Sequence, residues 1–576
     1  MAIFSPSESP AVTFREIDLT GVVRNAQSTT GAFVGNFRWG PVEQIRDIPD
    51  EAALASTFGA PDEAAAVDFL SAASFLRFSQ DLLIVREIDS DAKNAFDSDQ
   101  AAAAPTIKNL ENFDNQNDAL DSDGHTFVAR YPGELGNSLR ISMCPADSDT
   151  TTTFTNWTYA SRFDAAPGTS DFAADRGASN DEVHVAVVDI NGAFTGTPGE
   201  VLETYQFLSL GTNAKNADGS TNYIKNVINS ASNYVWLAGF DSDYTVAGAG
   251  TEIASGDNFL LASPATKNFN MSSGVNSGSL GASEYATGFD LFEDVDTVEV
   301  DFLIAPSING RTELTTIVND LVSIAQETRK DCVVVTSPAR NDVINTNTPV
   351  TNTITTASGF TSSSYLIVDN NYLKVYDKYN DQYVNIAAAS QTAGIIAASD
   401  RNTAPWFSPA GTRRGQYLGI TSLAYSPNKS ERDTLYRGGV NPIANIPGYG
   451  VLLYGDKTKL ARPSAFDRIN VRRLFLVVER AISRAAKQIL FEFNDEFTRA
   501  EFVNIVEPFL REIQGRRGIT DFRVVCDETN NTPAVIDRNE FVASIFIKPA
   551  RSINYITLNF VATRTGADFE EVVGLV

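Results

Sequence analysis

GGVNPIANIPGYGVLLYGDKTKLARPSAFDRINVRRLFLVVERAISRAAKQILFEF, residues 438–493, is the stretch on which the reading of this chain turns. Its Gly/Pro/Asn opening marks turns. Val451–Tyr454, bounded by Gly450 and Gly455, then reads as a short buried strand. A long helical period follows. Val471, Leu474, Phe475, Val478, Ala481, Ile482, Ala485, Ile489 and Phe493 recur at three- and four-residue steps, which places them on one helix face. Arg473, Arg480, Arg484 and Lys487 fall on a second stripe nearly opposite. Two readings of that stripe stand side by side: a solvated helix face, or a docking face for an acidic partner held by charge-assisted contacts.

The chain around this stretch has 576 residues, of which 43% are hydrophobic and 20% charged, with a mean hydropathy of −0.14. That is a soluble globular balance with material for several domains. The net charge of −27 is unevenly spread. Residues 441–576 hold 18 Lys and Arg against 17 Asp and Glu, leaving 27 basic and 55 acidic residues in 1–440. So acidic a surface argues against nucleic acid and against anionic membranes. Three cysteines, Cys144, Cys332 and Cys526, lie far apart and form no metal or disulfide framework. No apolar run approaches a membrane span, and MAIFSPSESP lacks the features of a secretory signal.

Toward the N-terminus, Val12 and Phe14, then Ile17 and Leu19, alternate with polar residues, the phase slipping between the two pairs. A segment this short must add to another sheet to bury its apolar side, or else it is a frayed end. A helix is expected over 61–79 and a strand at Leu82–Val85. Residues 91–185 are rich in Asp, Ser, Thr and Asn and read as an inserted, exposed β-rich domain, with strands at Thr126–Arg130 and Leu139–Met143. Residues 186–297 read as a second insertion, its 247–288 tract too poor in apolar residues to be core. VEVDFLIAP, ELTTIVNDLVSIAQET and CVVVTSP, within 298–338, form a βαβ pattern and hence parallel sheet. Tyr365–Val368 and Gln391–Ala398 look like its continuations. A helix at about 495–514 and strands at Phe522–Cys526, Phe541–Ile547 and Ile553–Ala562 follow. DFEEVVGLV closes the chain as a second extended segment.

Chemistry is hard to find. His125 and His184 have no ligand-type spacing and read as surface or strand residues. In the DSDG of 121–124, a calcium loop would begin at Ala119 and place Arg130 where a bidentate Glu is required. GVLLYGDKT, residues 450–458, misses a phosphate-binding loop because Asp456 stands in the lysine position. The turn after the first βαβ strand is not glycine-rich in the dinucleotide manner. An enzyme is therefore not expected, nor any cofactor or metal.

Taken together, several of these stretches resemble the sheath proteins of contractile phage tails. SPAVTFREIDLT, GAFVGNFRWGPV and FGAP are similar to the family's opening, and Glu203, Phe207, Tyr223, Ile228 and Ser232 fit its middle pattern. AGIIAASDRNTAPWFSPAG, residues 393–411, resembles a family segment, with Ala398 where Arg is common. The Asn441 turn, GYGVLLYGDKT, NVRRL, FEFND and NNTPAVID match best. The resemblance implies a mixed α+β and α/β multidomain subunit that polymerises around an inner tail tube in a metastable extended state. Rigid-body rearrangement then contracts the polymer and drives the tube through the host envelope. Expected partners are copies of the chain itself, the tail tube protein, and baseplate and tail terminator proteins. The expected location is the virion tail, after synthesis and assembly in the host cytoplasm.

On this reading residues 1–20 and 563–576 are arms that add strands to neighbouring subunits, through Val12, Phe14, Ile17, Leu19, Phe569, Val572 and Val573. Residues 21–90 and 298–425 form a middle domain, 91–185 and 186–297 two outer insertions, and 426–562 a C-terminal α/β core facing the tube. Arg473, Arg480, Arg484 and Lys487 are the expected tube-facing contacts. The rival reading is a virion surface adhesin whose insertion binds glycans.

Overall fold

The computed structural model describes residues 29–97, 103–147, 152–240, 249–260 and 265–554. The arm residues Val12, Phe14, Ile17, Leu19, Phe569, Val572 and Val573 lie outside them. The chain forms two compact units. Of the described residues, one comprises those from 29 to 405 and from 409 to 480; the other comprises 406–408 and 481–554.

At the centre of the larger unit is a six-stranded sheet. In spatial order its strands are Leu366–Val368, Val333–Thr336, Phe302–Ile304, Gly31–Gly35, Leu82–Arg86 and Ile45–Ile48. All pair in parallel except the edge strand Ile45–Ile48. Phe302–Ile304 and Val333–Thr336 are joined by the helix Arg311–Ser323, which completes the βαβ unit. Both sheet faces are apolar, as a parallel sheet requires. Phe33, Ile84, Phe302, Ile304 and Val335 pack on one side with the helices Ala66–Leu76 and Ala389–Asn402. Ala32, Val34, Leu303, Val334 and Val368 pack on the other with the helices Ala282–Asp290 and Arg311–Ser323. Gly31–Gly35 sits between Phe302–Ile304 and Leu82–Arg86, so segments on both sides of the intervening 200 or so residues share one sheet.

Those intervening residues make a seven-stranded antiparallel sheet: Glu200–Ser209, Glu182–Asp189, Leu139–Pro145, Lys267–Ser272, Phe96–Asp97, Phe127–Ala129 and Val235–Leu237. This corrects the expected division into insertions at 185/186. The boundary cuts Glu182–Asp189, which pairs with Leu139–Pro145 on one side and Glu200–Ser209 on the other. It also corrects the reading of 247–288 as too polar for core. Lys267–Ser272 lies mid-sheet, and its only large apolar residues, Phe269 and Met271, alternate inward and are buried. Two inward residues suffice for a short strand, though they scarcely register in composition.

Two further expectations change. Gln391–Ala398 is a helix, Ala389–Asn402, whose small and apolar residues are buried on nearly every side. A helix buried all round carries no amphipathic period and imitates a strand. The boundary at 425/426 also moves. The hairpin Ile443–Ile446/Gly450–Leu453 contributes Ile443 and Leu453 to the same core as Phe302, and residues up to 480 belong to the larger unit.

In the smaller unit the described residues form the helix Glu496–Gly515 and the antiparallel pair Ile519–Val525/Ser544–Pro549. Asp495 caps the helix, accepting from the Thr498 N–H at 2.9 Å, and Phe502, Val506, Leu510 and Ile513 line its buried side.

Candidate assembly surface

The helix Ile469–Ala486 is enclosed over its first ten residues: Ile469, Val471, Leu474, Leu476, Val477 and Val478 are all buried. Arg473 is buried with them. Its side chain is 1% exposed and donates to Asp400 at 2.5 Å, while Asp400 is 2% exposed. Its guanidinium carbon lies 4.4 Å over the Phe302 ring. Arg480 donates to Asp301 at 2.7 Å and to the backbone carbonyls of Val300 and Asp331 at 3.1 and 3.0 Å. These groups sit at the amino ends of the strands Phe302–Ile304 and Val333–Thr336. Asp301 also accepts from the Thr30 N–H at 3.1 Å, just before a third strand. Burial pushes the Asp301 carboxyl up, against the pull of Arg480 and then Arg473. Burial also works against the Arg480 charge, yet Asp301 and Asp331 outweigh it and hold Arg480 above its ordinary value.

The tube-facing assignment therefore fails for two of its four residues. Arg473 and Arg480 bolt the helix to the sheet. Spacing puts them on one stripe with Arg484 and Lys487, but spacing does not distinguish water from a carboxylate of the same chain. Only Arg484 and Lys487 are on the surface. The expected apolar stripe is overrun too: the helix stops at Ala486, and Phe493 is 83% exposed.

The other quoted motifs become fasteners. Arg472, next to Arg473 in NVRRL, stacks between Tyr365 and Phe466 at 4.3 and 4.2 Å and donates to Ser364 at 2.6 Å. Asn441 donates to Lys457 O and accepts from Lys457 N–H, both at 2.8 Å, and donates to Val368 O at 3.2 Å, tying the hairpin to the sheet. Asp456, in the lysine position of the abortive phosphate loop, accepts from Arg468 at 2.9 Å and from Tyr436 at 3.1 Å. In the smaller unit Asn531 of NNTPAVID accepts from Val542 N–H at 2.9 Å and donates to Val542 O at 2.8 Å. Asn494 of FEFND donates to Asn531 at 3.3 Å and to Glu540 O at 2.8 Å.

Both histidines are buried, which corrects the surface reading of them, while His184 does lie on a strand, Glu182–Asp189. His184 Nδ1 accepts from Phe207 N–H at 3.0 Å, so Nε2 carries the proton and donates to Ala165 O at 2.8 Å. The ring stacks on Phe163 at 4.6 Å, and burial lowers its pKa. The carboxyl end of the parallel sheet, where such folds hold ligands, is occupied by the chain itself. Asn36 N–H donates to Asp68 at 2.8 Å, Ala387 N–H to Ser307 at 2.9 Å, and Ala389 N–H to Ser337 at 2.9 Å.

Two features of the smaller unit remain open to a partner. Among the described residues, Ile519–Val525 and Ser544–Pro549 pair only with each other, so both outer edges of the sheet are unpaired. Two strands alone are marginal, and unpaired edges are templates for addition. The segment from the end of the helix Ile469–Ala486 into the first turn of Glu496–Gly515, meanwhile, exposes Leu490 (60%), Phe491 (103%), Phe493 (83%) and Phe497 (77%). Phe491 has φ 73°, a left-handed backbone that a bulky residue adopts at a cost of about 1–3 kcal/mol. Periodicity hid this surface, because it counted Phe493 as buried.

Comparison with known proteins follows the same outline. Residues 278–459 match the phage tail sheath protein central domain, and residues 461–563 the phage tail sheath C-terminal domain. The tail sheath protein of Enterobacteria phage T4 is 33% identical, over 98% of this chain and 99% of its own length. That of Vibrio phage KVP40 is 31% identical, over 98% and 99%. Crystal structures of sheath tail proteins from Listeria innocua and Desulfitobacterium hafniense share the fold. Their TM-scores are 0.53 and 0.52 at 12% identity each; they cover 91% and 94% of this chain and 96% and 100% of their own.

Proposed function

The chain belongs to the phage tail sheath protein family, and on that premise we propose that it is the structural subunit of a contractile sheath, polymerising around an inner tube and working without a catalytic step. The observation that carries this reading is the two-stranded sheet Ile519–Val525/Ser544–Pro549 with both edges open among the described residues. The terminal segments, with Val12, Phe14, Ile17 and Leu19 at one end and Phe569, Val572 and Val573 at the other, supply strands that fill such edges in neighbouring copies. A donated strand of about six residues contributes roughly 3–6 kcal/mol at about 1 kcal/mol net per hydrogen bond, before ordering costs. Summed over a polymer, such links hold subunits together while each one turns.

The larger unit suits rigid-body motion. Its parallel sheet is covered on both faces, and the bolted helix leaves little to deform. Contact with the tube falls to Arg484 and Lys487, whose exposed charges give screened attachments that release when the sheath shortens. Baseplate and terminator proteins cap the two ends of the polymer. The subunit is made and assembled in the host cytoplasm and ends in the virion tail. Electron microscopy of the purified chain tests this: striated tubes are expected, and isolated particles at every concentration would overturn it.

A further inference from the structure

The exposed turn 490–497 offers more than an apolar patch. Leu490, Phe491, Phe493 and Phe497 stand among the exposed carboxylates Glu492, Asp495 and Glu496. Large exposed aromatic clusters rimmed by charge mark interaction sites, and a phenylalanine held at φ 73° in full solvent gains nothing inside its own chain.

The larger unit carries a surface of complementary character. The hairpin Ile443–Ile446/Gly450–Leu453 exposes Tyr449 at its tip and Tyr454 at its end, and Leu418 is exposed beside it, one residue past Tyr417, whose N–H donates to Val451 O. The loop before it, anchored by Gly411 N–H to Leu453 O, carries Arg413 and Arg414 in succession. Arg432 lies 5.7 Å over the Tyr454 ring. Arg413 is exposed and presents a cation beside these aromatic residues. Tyrosine and arginine are also the residues that anchor protein interfaces.

We infer that the 490–497 segment of one copy docks on the Leu418–Tyr449–Tyr454 surface of another, with Glu492 set against Arg413. The occupant is a second copy because the opposite charges and the aromatic partners are both present in this one chain. The two surfaces differ, so the contact is heterologous and repeats without closing, which is the geometry of a helical polymer. This inference rests on the sheath reading but not on strand donation.

Three sets of variants of the full chain test it. Phe491→Ser with Phe493→Ser alters only exposed side chains. It is expected to keep the wild-type circular dichroism and melting curve while raising the concentration needed for polymer about tenfold or more. Glu492→Arg and Arg413→Glu are each expected to weaken assembly, and a chain carrying both to recover it. Phe493→Cys mixed with Tyr449→Cys is expected to cross-link between copies in the polymer, since the native cysteines are buried. Polymer at the wild-type concentration from the serine variant, no recovery in the charge swap, or no cross-link overturns the docking while leaving the sheath reading intact. A wild-type chain that never polymerises overturns both.

Discussion

Arg473 and Asp400 meet at 2.5 Å inside the protein, 73 residues apart in sequence, one from NVRRL and the other from AGIIAASD. Two stretches that look like surface motifs are thus one internal joint. Removing one partner of such a buried pair costs about 3–5 kcal/mol, because the remaining charge loses its nearest counter-charge. Arg473→Met should therefore lower the unfolding free energy of the larger unit by about that amount. Arg473→Met with Asp400→Leu should recover most of the loss, since replacing both partners by apolar groups is often near neutral. Denaturant unfolding of the three variants checks this.

Arg484 and Lys487 should behave differently. Both are exposed, so Arg484→Glu with Lys487→Glu should cost less stability than Arg473→Met, about 1 kcal/mol or less per residue. The double variant should still form tube-free polymer yet fail to assemble on tail tubes, and co-sedimentation with tubes reads the difference. Unchanged binding would mean that the tube contact lies elsewhere.

What the sequence disclosed follows a physical pattern. The βαβ unit was legible because Phe302–Ile304 and Val333–Thr336 are dense apolar runs flanking an amphipathic helix. The strand Gly450–Leu453 was legible, one residue out of place, from the glycines that bound the apolar run. Ala389–Asn402 was not, because burial on every side erases the helical period. Lys267–Ser272 was not, because two inward residues carry the whole strand. The arginine stripe failed for a further reason: a period identifies a face, but whether Arg480 looks at water or at Asp301 depends on a residue 179 positions away.

The two sheets should respond to pH in opposite senses. His184 is held neutral by burial and by its role as acceptor for Phe207 N–H. Its folded pKa lies below the unfolded value of about 6.5, so it contributes stability above that value which is lost as pH falls. Glu182 on the same strand is pushed up by burial and pulls the other way. The histidine contribution is therefore read as the difference between wild type and His184→Gln. In the parallel-sheet region, burial raises Asp68 and Asp369 to about 7 and Glu87 to about 8. Groups raised in this way lend stability at low pH that is lost as pH rises through those values. Amide exchange at pH 5 and pH 8 should show the protection that wild type has over His184→Gln in the 182–209 strands to be larger at pH 8, and the 31–86 and 366–368 strands to be better protected at pH 5.

Asn531 should be indispensable to the smaller unit. Asn531→Ala removes both hydrogen bonds that hold the Val542 backbone, at about 0.5–1.5 kcal/mol each. Proteolysis should then cut within 527–542 in the variant and spare the wild type, while the melting of the larger unit stays unchanged.

The central claim is that strands from neighbouring copies complete the sheet Ile519–Val525/Ser544–Pro549. A cryo-EM map of the assembled polymer measures this most directly. The account predicts density for residues 1–20 of one copy or 563–576 of another, paired in register along the outer edges of that sheet. Edges left bare, or filled by the terminal segments of the same chain, would contradict it.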